Sequence, residues 1–333
     1  VEKGADYTIK PTKDLNPLNG VSTFDLVLMQ KHILGLKHFE SPYHYIAADI
    51  NQSKTVTAYD MVVLRQLILN ILTDFPNNES WRFVNMAYPM DAPNPLLEGY
   101  EQASKVTNID TDITLEFMAV KIGDVNNSAK PNAFIAGEDR NFNGSLDVHV
   151  MDRAIEAGQS YVIDFKLNDL AKIEGYQFTL AYDGLTFESW AGGLIGENYF
   201  GYTLAKRGFI TTSWNQSGNV PATEQEATFK LKFTANETGL LSELLTINSA
   251  FTPAEGYNTD SELVEVQLIF DDAVIGSQAV ELYQNRPNPF KEKTQVNFYL
   301  PQASPATLTI MDVHGKVIKT IQGDYEKGEH SIE

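Results

Sequence analysis

The residues best placed to do chemistry are oxygen donors at alternate positions of a loop. Asp49, Asn51 and Ser53 stand at positions one, three and five, Thr55 offers its carbonyl at seven, Thr57 stands at nine and Asp60 closes at twelve. Hard cations such as calcium take six to eight oxygen ligands from loops of this layout. The same pattern occurs 35 residues earlier, where Asp14, Asn16, Ser22 and Asp25 take positions one, three, nine and twelve, but Leu18 replaces the fifth-position ligand. A third half-copy, Asp124, Asn126 and Ser128, repeats the one-three-five spacing with no helix after it. It reads as a cap, or as an ion site completed by another segment. The bland alternative for the first two is an Asx-rich turn capping a helix without metal. Calcium is the expected cofactor.

No other constellation asks for chemistry. The six histidines show no paired spacing on a helix face, and no nucleophile elbow, phosphate loop or dinucleotide fingerprint occurs. Carboxylate pairs such as Asp271 and Asp272 fall in turns, so glycosidase chemistry lacks support. The expectation is a protein that is not an enzyme. A formal charge of -19 excludes a nucleic-acid face and fits a solvated, calcium-rich exterior. No apolar run is long enough to span a bilayer. With no cysteine, a secreted chain must be stiffened by other means, and bound metal is one. The chain opens on Val1 and stops at Glu333, as expected of a fragment or processed piece.

The elements that position the loops follow from pattern. Ser22 is a natural N-cap, with Asp25 three residues on in a capping box. Apolar faces follow: Leu26, Leu28, Met29, Ile33 and Leu36 in one helix, Met61, Leu64, Ile68 and Ile71 in the other. Val21 and Val56, at position eight of each loop, should join the loops back to back. Strand-like runs lie at 81–87 and 113–122. From 146 to 270 short alternating runs recur between Gly and Asn turns (146–151, 160–167, 176–182, 186–190, 209–214, 226–233, 244–247 and 263–270), a β-sandwich pattern. The overall class is multidomain and mainly β, with an α+β loop-helix module at 1–133, a sandwich at 134–271, a linker at 272–280 and a small β domain at 281–333.

Paired loop-helix units with these residues resemble dockerin modules. The resemblance implies calcium at Asp49, Asn51, Ser53, Thr55, Thr57 and Asp60. In the first copy it implies calcium at Asp14, Asn16, Ser22 and Asp25. The insertion ending in Asp124, Asn126 and Ser128 is similar to an extended form found in secreted proteins of the Bacteroidetes. The partner-recognition positions of dockerins hold Thr23 and Phe24, and Ala58 and Tyr59, so ordinary cohesin recognition is not implied; the aromatics should pack on a neighbouring segment.

The runs at 157–162, 175–183 and 227–233 resemble a cohesin-type or related carbohydrate-binding jelly roll. Trp190 and Trp214, with Tyr199, Phe200 and Tyr202, would suit a sugar-stacking platform, although aromatics in sandwiches more often fill the core.

The string Tyr283, Gln284, Asn285, Pro287, Asn288, Pro289 and Phe290, with the strands after it, resembles the type A C-terminal sorting domain of the type IX secretion system. That family runs on for another hairpin and a final strand, so an incomplete, Ig-like sandwich is expected. The resemblance implies the secretion machinery as partner of 281–333 and an extracellular or outer-membrane surface location in a Gram-negative bacterium. The leading expectation is the non-catalytic, calcium-stabilised C-terminal part of a large surface adhesin or appendage subunit. Its two modules would pack within one chain, or bind head-to-tail between chains into a ring or filament. The alternative is the polysaccharide-binding tail of a secreted hydrolase.

Overall fold

The structure is a computed structural model that describes residues 2–90, 93–131, 141–216, 228–271, 281–282, 285, 293–300, 303–311, 316–326 and 328–332. It divides into two compact units, one of residues 1–150 and 154–269, the other of 151–153 and 270–333.

In the first unit, α1 (Thr23–Ile33) begins at Ser22, whose hydroxyl accepts from the Phe24 amide while the Asp25 carboxylate reaches back to the Ser22 amide. Helix α2 (Pro42–Ala48) opens with Ser41 as cap and proline in its first turn. At seven residues it is too short to show a helical period in sequence. Helix α3 (Ala58–Ile68) repeats the capping box with Thr57 and Asp60. Leu26, Met29, Ile46, Ile50, Leu64 and Leu67 form the dry centre of this module; Val21 joins them, and Val56 packs against them. Around the helices, β1 (Ala5–Ile9) pairs with a strand at Ser104–Ile109, and β2 (Trp81–Asn85) with one at Phe117–Lys121, here β3 and β4 in chain order.

The sandwich strands are β5 (Ser145–Met151), β6 (Ser160–Leu167), β7 (Ile173–Tyr182), β8 (Leu185–Gly192), β9 (Phe200–Gly201), β10 (Phe209–Asn215), β11 (Phe229–Ala235), β12 (Leu245–Asn248), β13 (Glu255–Asn258) and β14 (Leu263–Asp271). They form one ten-stranded sheet in the order β9-β10-β7-β13-β14-β5-β6-β11-β8, with β12 also on β7. Phe165, Tyr176, Phe178, Phe229 and Phe233 fill its interior. Alternation is clean on β11, where Phe229, Leu231, Phe233 and Ala235 point inward and the lysines between them are only partly covered.

Strand β7 breaks that rule. From Tyr176 to Tyr182 every residue is buried, including Gln177 and Thr179 on the outward face. Strand β10 does the same with Thr211, Ser213 and Asn215. A polar sheet face is dry only when another layer covers it, and that layer is the helical module. The change of pattern near residue 133 is therefore a change of secondary structure inside one compact unit, since 1–150 and 154–269 cluster together.

The second unit pairs β15 (Glu281–Leu282) with β16 (Val296–Leu300), and β16 with a terminal strand at Gly328–Ile332. Between these, β17 (Ser304–Met311) and β18 (Val317–Tyr325) form a hairpin. Phe298 is buried against Tyr325 and His330. The linker 272–280, residues 283–284 and 286–290 of the sorting-type string, and the turn at 314–315 lie outside the described residues.

Candidate docking interface and calcium loops

The outward face of β7, β10 and β13 presents small and polar side chains in register. Thr179 lies opposite Thr211, Gln177 opposite Ser213 and Gly175 opposite Asn215; on the other side Gln177 lies opposite Glu255. Helix α1 seats on this face through its first turns. The Thr23 amide and hydroxyl both donate to the Gln177 side-chain oxygen at 2.7 and 2.9 Å, and the Thr23 and Ser213 hydroxyls lie 2.7 Å apart. The Gln177 amide nitrogen donates to Glu255 at 3.0 Å, and the Tyr257 hydroxyl donates to the same Glu255 oxygen at 2.6 Å. Burial, then the neighbouring Glu255 carboxyl, holds the Tyr257 phenol well above its usual range. Phe24 stacks on Tyr257 at 4.9 Å between ring centroids. At the far end Lys31 pairs with Glu174 at 2.6 Å.

Helix α3 contributes its C-terminal end. Arg65 and Gln30 both bond Asn215, and the Arg65 guanidinium lies 4.8 Å from the Tyr199 ring centroid. The free carbonyls ending a helix need donors. Thr252 donates to the Ile68 carbonyl at 2.9 Å and Thr211 to the Leu69 carbonyl at 2.6 Å. Two glycines allow this approach. A Cβ on Gly175 would press on Thr23 and Val27 at 3.0 and 3.1 Å, and one on Gly201 would overlap the Leu69 carbonyl oxygen. Phe24 thus packs on a neighbouring segment as expected, but Tyr59, its counterpart in α3, is 62% exposed.

The second loop has its donors gathered. The Asp49 carboxylate accepts from the Ser53 and Lys54 amides at 2.8 and 2.9 Å, and Asn51 accepts from Ser53 at 2.9 Å. Asp60 accepts from the Asn51 amide at 3.2 Å and the Thr57 amide at 2.8 Å. Ser53 donates to the Thr55 carbonyl at 3.2 Å. Lys54 takes the left-handed turn at position six with φ 68°, without glycine.

The first loop is not built from Asp14 and Asn16. Asp14 accepts from the Ser80 amide at 2.8 Å, and the buried Lys121 ammonium binds the Pro17 carbonyl at 2.7 Å. With Leu18 offering no oxygen at position five, this stretch does not curl into a ligand set. Residues 124–129 take its place beside Ser22 and Asp25. Asp124 accepts from Ser128 and Ala129 at 2.9 and 2.8 Å, and Asn126 accepts from Ser128 at 3.1 Å. Asp25 accepts from Asn126 at 3.3 Å and from Ser22 at 2.8 Å, and Ser128 donates to the Gly20 carbonyl at 2.9 Å. Each bond has its counterpart in the intact loop, so the second half of one loop is completed by a segment about a hundred residues away.

The donor set fits calcium. Asp25 and Asp60 are fully buried, and Asp49 and Asp124 nearly so. Each group holds two carboxylates with amide, hydroxyl and carbonyl oxygens, a mixture suited to a hard cation. Among the described residues no group of three or more His, Asp or Glu gathers to hold a metal ion, so an ion at either loop would draw on amide, hydroxyl and carbonyl oxygens beside its two carboxylates. Burial, and then the Asp124 charge, push Asp25 up to about 8. Burial chiefly raises Asp49 and Asp124 too, with Asp60 adding to the effect on Asp49. A bound dication would offset the burial of these like charges.

The aromatic platform is not assembled. Trp214 is buried against Tyr176, with ring centroids 5.4 Å apart, and has no face to offer a sugar. Trp190 is half-buried on β8, Tyr202 stacks on Phe187 and Tyr199 meets Arg65.

No family model and no curated protein matches the chain. Its structural neighbours are cohesin modules. A chain of a type I cohesin–dockerin complex from Clostridium thermocellum is 17% identical, covering 40% of this chain and 94% of its own, at TM-score 0.29. The second type II cohesin of the ScaA scaffoldin of Acetivibrio cellulolyticus is 14% identical, covering 39% and 90%, at 0.29. A non-cellulosomal cohesin from Archaeoglobus fulgidus is 17% identical, covering 38% and 87%, at 0.26. At such scores the likeness carries no functional argument. The interface must carry it.

Proposed function

We propose that this chain is a non-catalytic protein–protein docking pair closed on itself, in which a calcium-stabilised loop-helix module occupies the polar face of its own sandwich. The observation that carries the reading is the Thr23–Gln177–Ser213 contact: buried polar groups from both modules satisfy one another, as at an interface evolved to be covered. Calcium belongs at Asp49, Asn51, Ser53, Thr55, Thr57 and Asp60, and in the split loop at Asp124, Asn126, Ser128, Gly20, Ser22 and Asp25. A metal that binds only the folded loops stabilises them by mass action.

Such a closed pair is a rigid joint. We place it in the C-terminal part of a secreted surface protein, an adhesin or appendage subunit exported through the type IX system by residues 281–333. The acidic charge and the lack of cysteine support a calcium-rich exterior. Calorimetric titration of the chelator-stripped chain should show two ions taken up and a rise in melting temperature. No uptake and no change in melting would end the calcium reading. Surface labelling of a type IX-competent host expressing the chain with and without 281–333 tests export; equal labelling would end that part.

A further inference from the structure

Four consecutive residues divide their duties between two partners. Ser22 and Asp25 belong to the split loop: the Asp25 carboxylate accepts from the Ser22 amide and, on its other oxygen, from Val125 and Asn126 at 2.7 and 3.3 Å. Thr23 and Phe24, between them, make the contacts with Gln177, Ser213 and Tyr257 on the sandwich. One turn of helix therefore cannot rotate to suit the loop without moving the docking side chains.

The segment 121–130 grips this turn along its length. Asn19 and Lys130 exchange two hydrogen bonds at 2.7 and 3.1 Å, Ser128 bonds the Gly20 carbonyl, and Lys13 bonds the Pro131 carbonyl at 3.0 Å. Gly20, at φ 73°, lies so close that a Cβ there would sit 2.5 Å from the Ala129 Cα. The intact loop is held from outside at its start, where Asn78 donates to the Asp49 and Ile50 carbonyls at 3.0 and 3.2 Å. The residues of α3 that correspond to Thr23 and Phe24 are Ala58 and Tyr59, and both are exposed.

We propose that residues 121–130 form a strap whose closure on residues 19–25 sets the orientation of the first turn of α1, so that the ion in the split loop, and not the ion in the intact loop, governs seating of the module on the sandwich. The proposal rests on the calcium reading above. It assigns the two loops different work: the intact one holds its own helix, the split one controls the joint.

The native chain has no cysteine, so an engineered pair reports seating directly. In the full chain carrying Thr23→Cys and Ser213→Cys, whose native hydroxyls lie 2.7 Å apart, oxidation should proceed readily with calcium. It should slow by about tenfold or more in chelator, and equally in Asp124→Asn with calcium present, because a buried charge-assisted contact is lost. Asp49→Asn should lose one ion by calorimetry yet cross-link at nearly the parent rate. The milder Ser128→Ala and Gly20→Ala guard against misfolding of Asp124→Asn, with circular dichroism as the check; both should slow cross-linking while retaining helix. Equal cross-linking in calcium and chelator, in a chain that takes up two ions in the calcium titration, would overturn the strap and leave the calcium reading standing. Equal slowing by Asp49→Asn and Asp124→Asn would also overturn it. No calcium uptake by the parent would remove both.

Discussion

Replacing Gln177 by leucine tests the interface at its centre. Gln177 is fully buried and makes three hydrogen bonds: two accepted from Thr23 and one donated to Glu255. Leucine fills similar space but bonds nothing. The Thr23 hydroxyl keeps Ser213, and the Glu255 oxygen keeps Tyr257. The Thr23 amide is left without its partner. An orphaned buried donor costs ~1–3 kcal/mol, and each of the two further bonds lost adds ~1 kcal/mol, so the loss should be about 3–5 kcal/mol. For a unit of this size that lowers the melting temperature by about 6–20 °C. All three tryptophans, Trp81, Trp190 and Trp214, lie in the first unit, so urea unfolding followed by their fluorescence reads this unit apart from the C-terminal one. A loss below about 0.5 kcal/mol would mean that water replaces the glutamine, and the argument from a dry, mutually satisfied face would fail.

Gly201→Ala should push the end of α3 off the sheet, since the new methyl overlaps the Leu69 carbonyl that Thr211 binds; a loss of about 1–3 kcal/mol in the same assay is expected. Burial pulls Lys121 down to about 8. The folded state then holds fewer protons than the unfolded one between pH 8 and the ordinary lysine range, so this group's penalty is full below pH 8 and relieved as pH rises. Subtracting the stability profile of Lys121→Met from that of the native chain, in chelator, should reveal a positive slope from pH 8 to 10; a flat difference refutes the buried ammonium. Calcium at about a hundred times its Kd should raise stability by ~2.7 kcal/mol per site, and Asp60→Asn should remove the intact loop's share, read by melting with and without chelator.

Much of the local structure was legible because it depends on neighbours in sequence. Ser22 with Asp25 announces a helix start through a contact three residues long, and that capping box forms; Thr57 and Asp60 form a second one like it. Each of the eight alternating runs in the sandwich overlaps a strand, although 226–227 lie outside the described residues and Leu244 ends a short helix, and the intact loop gathers its donors within twelve residues. Helix α2 and β13 were missed because seven and four residues hold too little pattern.

What escaped was which distant segments complete the first loop and cover the sheet. Spacing grouped Asp14 and Asn16 with Ser22 and Asp25, yet Asp14 turns to Ser80 and the half-loop 124–128 takes the vacant positions. Alternation on β7 and β10 separated an aromatic face from a polar one, but not what covers the polar one. Gln177, Ser213 and Asn215 would read the same beneath water as beneath α1, and Trp214 the same in a core as on a sugar platform. Residue order by itself determined the helix caps, the strands and one complete oxygen-donor loop, because hydrogen-bonding and burial patterns of short range are written in adjacent residues. Only the tertiary structure decided that a strap completes the other loop and that the module sits on its own sandwich. Those choices depend on which surfaces meet after each segment has formed.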